Sequence, residues 1–105
     1  MTNPDFSRYD TADYLKNDDD IAAYLEAVMQ EGGDDPAYIM YALGVVARAR
    51  NMSKLARETG ISREGLYKAF SGKGNPSFST VMKVAVALGL RISFTAHGAQ
   101  ESASA

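Results

Sequence analysis

Arg63, Glu64, Tyr67 and Lys68 are four side chains able to meet the edge of a base pair, gathered in one short stretch. An arginine or lysine can donate to guanine O6 and N7 in the major groove, and a glutamate can accept from cytosine N4. A tyrosine can pack on a thymine methyl or bond a phosphate. If Leu66 turns inward on a helix, these four turn outward. Around them stand residues suited to phosphate: Ser53, Lys54 and Ser62 at expected helix N-termini, where free N–H groups attract anions, and Ser71, Lys73 and Asn75 in the loop that follows. Each phosphate neutralised steepens the log–log salt dependence by roughly 0.9. Polar residues on a short helix often make only a solvated face. Two features argue for more. Acids avoid this region apart from Glu58 and Glu64, and Lys54, Arg63, Lys68 and Lys73 fall on the cap, helix and loop a duplex would meet.

The frame for these residues is LARETGISREGLYKAFSG, residues 55–72. It reads as a helix-turn-helix. Ala56 is small where a second helix crosses the first. Gly60 supplies a turn residue free to take positive φ. Ile61 pins the corner, and Leu66 is the inward residue of the second helix. Ser53 is expected to cap a helix over 54–59 and Ser62 one over 63–70. Gly65 costs the second helix about 1 kcal/mol relative to alanine, and leaves one side thin enough for close approach to a nucleic-acid backbone.

Three further helices are expected. Thr11 suits the cap of a short helical turn. Asn17 or one of Asp18 to Asp20 can cap a first helix with Ile21, Tyr24, Leu25 and Val28 on one stripe, closed by Gly32 and Gly33. Asp35-Pro36 pairs an N-cap with proline at the first helical position. The second helix, running to about Arg50, has one stripe of Ile39, Leu43 and Val46 and another of Tyr38, Ala42, Val45 and Ala49, so it should be buried on two sides. Ser77 caps a fifth helix with Phe78, Val81, Ala85 and Leu88 inward, closed by Gly89 with Leu90 folding back. RISFTAH, residues 91–97, alternates as a strand does, with Ile92, Phe94 and Ala96 on one side. A lone strand leaves its backbone unpaired. Two partners are open to it: the same strand of a second protomer, through Ile92 and Phe94, or residues near Phe6. The tail GAQESASA is small and polar, so it is expected to be disordered.

The chain has 105 residues, no cysteine and 46% hydrophobic residues, which suits one domain without disulfides. No apolar run is long enough to span a membrane and the N-terminus lacks a signal-peptide pattern, so the expected location is cytoplasmic. Net charge is −2, but unevenly spread. Residues 1–35 hold ten acids and two bases, net −8; residues 36–105 hold nine bases and three acids, net +6. The basic part suits a polyanion, the acidic part a solvated extension. The organisation read from this is an acidic arm and helix over 1–34, a DNA-binding domain with its strand over 35–97, and a flexible tail over 98–105.

Other chemistry finds little support. His97 is the single histidine, and a metal site needs several ligands. Asp18-Asp19-Asp20 lacks the spacing of a calcium loop and is assigned to capping. GKGNP lacks the phosphate-loop pattern. No cofactor, metal or catalytic arrangement is expected, and the chain reads as a non-enzyme. Tyr38, Tyr41 and most of the five methionines are assigned to core faces, with Met29 and Met40 as candidate partner contacts.

DYLKNDDDIAAYLEAV and ALGVVARARNMSKLARETGISREGLYKAFSGKGNPSFSTVMKVAVALGLRISF, which together span most of residues 13–94, resemble the probable addiction-module antidote family, a branch of the lambda-repressor-like (Xre-type) helix-turn-helix proteins. The resemblance implies an all-α, five-helix repressor-like bundle with an N-terminal helical extension and a short C-terminal β-strand. It implies an antitoxin that forms a homodimer on a palindromic double-stranded operator and represses its own operon, with a small RelE/ParE- or HigB-like toxin as partner. By motif position the base readers are Arg63, Glu64, Tyr67 and Lys68. The first motif position often carries Gln, which orients a base contact; here Met52 stands there and cannot. Two rival expectations remain: a toxin-neutralising module whose DNA contact is secondary, favoured by the acidic arm, and a helix-turn-helix used only for protein contact.

Overall fold

Local signals along the chain become one 3-10 turn, Thr11–Tyr14, and five helices: α1 (Asp18–Gly32), α2 (Pro36–Arg50), α3 (Met52–Thr59), α4 (Arg63–Ala69) and α5 (Phe78–Ala87). The computed structural model describes residues 10–96. Asn17 caps α1, its Oδ1 accepting from the Asp20 N–H at 2.9 Å, while Asp20 accepts from the Lys16 N–H at 2.9 Å. The three aspartates of the first turn suit the positive end of the helix. Asp35 caps α2 by accepting from the Ala37 and Tyr38 N–H groups, with Pro36 at the first position. Ser62 and Ser77 cap α4 and α5 as expected.

Two caps differ from the sequence expectation. Asp10, not Thr11, caps the 3-10 turn, accepting from the Ala12 N–H at 3.1 Å. Asn51, not Ser53, caps α3, accepting from the Lys54 N–H at 3.0 Å. The physical reason is shared: Asp and Asn oxygens cap as well as Ser or Thr, and each stands earlier in the chain. Starting α3 at Met52 turns that side chain into the core.

α2 is the central post. Six consecutive residues, Ala42 to Ala47, are buried, and α2 packs against the 3-10 turn, α1, α3 and α4. Leu43 and Val46 join Leu55, Leu66, Phe70, Val81, Val84 and Leu88 in one core cluster. Each large aliphatic so buried contributes about 1.5–3 kcal/mol. Gly44 permits the closest approach. A Cβ built there would lie 2.3 Å from the backbone oxygen of Phe70, so α2 and the end of α4 can meet only across a glycine.

The acidic segment is tied to the C-terminal turn of α2. The Arg48 guanidinium donates to both Asp10 carboxylate oxygens, at 2.9 and 3.3 Å, and Arg50 pairs with Asp18. The Arg48 hydrogen bonds, with the Ala12 N–H, hold the Asp10 carboxyl below its usual range.

At the other end, Gly89 takes φ 79° and the Leu90 N–H reaches back to the Ala85 carbonyl at 2.8 Å, the expected helix closure. The expected strand is not formed: residues 90–96 are irregular, and there is no strand among the described residues. Alternation alone does not make a strand when no neighbour takes up its N–H groups. Ile92 instead packs against the core cluster and Phe94 is 88% exposed. Phe78, expected inward, is 60% exposed. At the first position of α5 it borders an open groove with Pro36, Ala37 and Met40. Phe6, His97 and the tail over 98–105 lie outside the described residues. No helix among those described is long and apolar enough to cross a membrane.

Candidate nucleic-acid interface

The corner between α3 and α4 is held from both sides. Gly60 sits at φ 76°, and its N–H donates to the Ala56 carbonyl at 2.9 Å. Thr59, which sequence reasoning missed, locks the same corner. Its hydroxyl donates to the Leu55 carbonyl at 2.8 Å and accepts from the Ile61 N–H at 3.2 Å. A threonine just before the turn glycine was the available signal, since its hydroxyl can serve both neighbours. Ile61 is partly buried against the core, and Leu66 is only 1% exposed. Gly60 thus takes the positive φ expected of it, Ile61 packs at the corner and Leu66 turns inward, while Ala56 is partly buried against the core.

With Leu66 inward, Arg63, Glu64, Tyr67 and Lys68 are all exposed on α4. The helix has seven residues, too few to be stable alone, so its direction is set by the Ser62 cap, Leu66 and the Gly44–Phe70 contact. Gly65 has an explanation inside the chain. An added Cβ would meet the Ile61 side chain and the Ser62 hydroxyl, each at 3.1 Å. The glycine therefore serves the corner, whatever else approaches it.

The residues expected at phosphates divide by role. Lys54, Lys73, Asn75 and Ser53 are exposed. The Ser62 hydroxyl is already engaged, accepting from the Gly65 N–H at 2.9 Å. Ser71 staples the loop to α4: its hydroxyl donates to the Lys68 carbonyl at 3.1 Å and accepts from the Lys73 N–H at 3.2 Å. Ser62 and Ser71 thus shape the surface, and the lysines supply its charge.

Tyr41 was assigned to the core and is instead 47% exposed. It lies close to Gly72 and lines a cavity of about 160 Å³ with Arg48, Tyr67 and Ser71. Two tyrosines therefore border one opening beside α4. The surprise has a simple source: α2 is apolar nearly all round, and its sequence does not say which part outruns its neighbours. Tyr38 is half-buried and donates to Glu31 at 2.8 Å, a bond that raises its hydroxyl pKa. Met52 is buried, while Met29 and Met82 are exposed.

Electrostatically, Arg48 and Arg50 are spent on the acidic segment. Among the described residues, the lysines and arginines of α3, α4 and the following loop form no ion pair. Among the described residues no group of three or more acidic or histidine side chains is placed to hold a metal ion.

A family model described as "Probable addiction module antidote protein" matches residues 5–96. A Haemophilus influenzae protein, described as uncharacterized, is 55% identical over 83 residues, covering 79% of this chain and 84% of its own length. No solved structure matches the chain.

Proposed function

The chain belongs to the probable addiction module antidote family, and from that premise we propose that it is an antitoxin and a sequence-specific DNA-binding repressor of its own operon. α3 and α4 act as a lambda-repressor-like (Xre-type) helix-turn-helix. α4 enters the major groove and offers Arg63, Glu64, Tyr67 and Lys68 to base edges, while Ser53, Lys54, Lys73 and Asn75 meet phosphates. Two copies bind a palindromic operator with half-sites about one helical turn apart. The observation that supports this best is the pairing of a rigidly held corner with four exposed recognition-capable side chains on α4. The protein acts inside the cytoplasm without enzymatic activity; its family supports a cognate toxin as partner, and the reading takes that toxin to be of RelE/ParE or HigB type.

The test is a titration against the DNA upstream of the protein's own gene, with random duplex as control, at two salt concentrations. The expected preference is about 10³-fold or more, with a steep salt slope. Arg63→Ala with Lys68→Ala should remove that preference and leave toxin neutralisation intact. Equal weak binding to both duplexes would overturn the repressor reading.

A second reading, in which toxin neutralisation is primary and DNA binding secondary or absent, has its own observation. The α1–α2 turn gathers Glu31, Asp34 and Asp35 beside exposed Met29 in one surface groove without a basic side chain. Such a surface suits a basic partner, and it is made of different residues from the α4 face.

A further inference from the structure

Tyr41, Gly44 and Arg48 stand three and four residues apart on α2, which places them on one face of that helix. Gly44 lies against the Phe70 backbone oxygen, so this face is turned toward the end of α4. It borders the same opening as Tyr67 and Ser71, and so does Met52, the first residue of α3. Arg48 therefore borders both of the places that the repressor reading gives to a duplex: Tyr67 at a base edge, and the start of α3, where Ser53 and Lys54 meet a phosphate.

The Arg48 guanidinium is occupied. Its Nη2 and Nε donate to the two Asp10 carboxylate oxygens, at 2.9 and 3.3 Å. A guanidinium grips a phosphate with the same two-pronged geometry, so the carboxylate fills the position a DNA phosphate would take. The pair is open to solvent, with the Arg48 side chain 28% and the Asp10 side chain 39% exposed. An ion pair so exposed is weak and can be exchanged for another anion. Arg50 offers the contrast. It pairs with Asp18, but it lines a groove that holds no residue of α4.

We propose that Arg48 is a further DNA-backbone contact and that Asp10 holds it in reserve. A duplex seated on α4 brings a phosphate to the opening, takes over the Arg48 guanidinium and displaces the Asp10 carboxylate. The acidic segment thereby lowers affinity for every duplex by the same factor, because a phosphate contact carries no sequence information. Preference between sequences stays with α4. This role rests on the DNA-binding reading of α4, but not on an operator.

The test titrates the full-length protein with the upstream duplex and with random duplex at several salt concentrations. Asp10→Asn removes the charge and leaves a side-chain oxygen for the Ala12 N–H that Asp10 accepts from. It should tighten binding to both duplexes about two- to fivefold, the strength of a partly exposed pair. Arg48→Gln should weaken binding to both and flatten the log–log salt slope by about 0.9. Both side chains lie at the surface, so the variants should fold, and circular-dichroism melting checks that they do. The double variant decides the cause. Asp10→Asn added to Arg48→Gln should gain nothing, since no guanidinium is left to free. An equal gain from Asp10→Asn with and without Arg48 would overturn the proposal, because the lost acid alone would then explain it. Unchanged binding by Asp10→Asn, or an unchanged slope in Arg48→Gln, would overturn it as well. Equal affinity for the two duplexes with the Asp10 and Arg48 effects intact would overturn only the operator reading. No binding to either duplex would overturn both.

Discussion

Replacing Gly44 by alanine sets two known effects against each other. In mid-helix, alanine is preferred over glycine by about 1 kcal/mol, so propensity alone makes Gly44→Ala stabilising. The structure reverses that sign. The new Cβ would lie 2.3 Å from the Phe70 backbone oxygen and must retreat by about 1 Å to reach an ordinary contact. A side chain could swing aside; this carbonyl belongs to the residue whose own N–H closes α4 by donating to the Leu66 carbonyl at 3.0 Å. Relief therefore means moving the end of α4 away from α2. Overpacking of this kind costs about 1–3 kcal/mol. After the propensity gain of about 1 kcal/mol, the net loss is up to about 2 kcal/mol, a fall in Tm of up to roughly 15 °C for a domain this size. The assay is thermal unfolding by circular dichroism, paired with the upstream-DNA titration below the transition. The folded variant should also bind that DNA more weakly, because α4 is displaced. A Gly44→Ala protein that melts higher and binds unchanged would refute the close approach and its role in aiming α4.

Other perturbations are quicker to state. Ser62→Ala removes the cap that accepts from the Gly65 N–H, so it should cost about 1 kcal/mol and show as faster amide exchange within α4. Gly60→Ala meets no atom within 4 Å, so its whole penalty is the left-handed backbone, about 1–2 kcal/mol; urea unfolding should show that loss, and a smaller one for Gly60→Asn. Lys73→Ala should lower DNA affinity alike for all sequences and flatten the log–log salt slope by about 0.9, whereas Arg63→Ala should change sequence preference. Asp10 has a folded pKa below its ordinary value, so its stabilising effect is present above the unfolded pKa, about 3.9, and is lost as pH falls through the lower folded value. The pair is partly exposed, so Asp10→Asn should cost under about 1 kcal/mol at neutral pH, and the gap from wild type should close in acid.

Much of this arrangement was readable because it depends on residues close in sequence. Asp35-Pro36, Ser62, Ser77, Gly60 and Gly89 act within one turn of themselves, and each does so here. The inward and outward sides of α4 followed from Leu66 alone. Contacts between distant segments were not readable. Nothing near Gly44 announces that the Phe70 carbonyl will lie against it, and nothing near Arg48 names Asp10, 38 residues away. The strand at 91–97 failed for the same reason in reverse, since a period-two pattern describes one side of a pairing whose other side is not formed among the described residues. Tyr41 and Phe78 were misplaced because an apolar residue's burial depends on where the opposing surface ends.

The charge of the chain also takes on a different meaning once its pairing is known. A net charge of −2 is a weak argument against a polyanion only if charges act as one sum. At a Debye length of about 8 Å, a phosphate feels mainly the charges near it. The acids Asp10 and Asp18 are consumed locally by Arg48 and Arg50, at the C-terminal turn of α2, where the helix end itself favours the cations. These pairs anchor the acidic segment at the C-terminal turn of α2, whereas Arg63 and Lys68 stand on α4 and Lys73 in the loop after it. Asp18→Asn therefore makes a sharp test of scale. It raises the net charge by one, so a net-charge account expects tighter DNA binding. The local account expects a small loss of stability and unchanged affinity at physiological salt. Affinity measured for Asp18→Asn beside Glu64→Gln separates the two, because removing an acid from α4 itself should strengthen nonspecific binding while removing Asp18 should not.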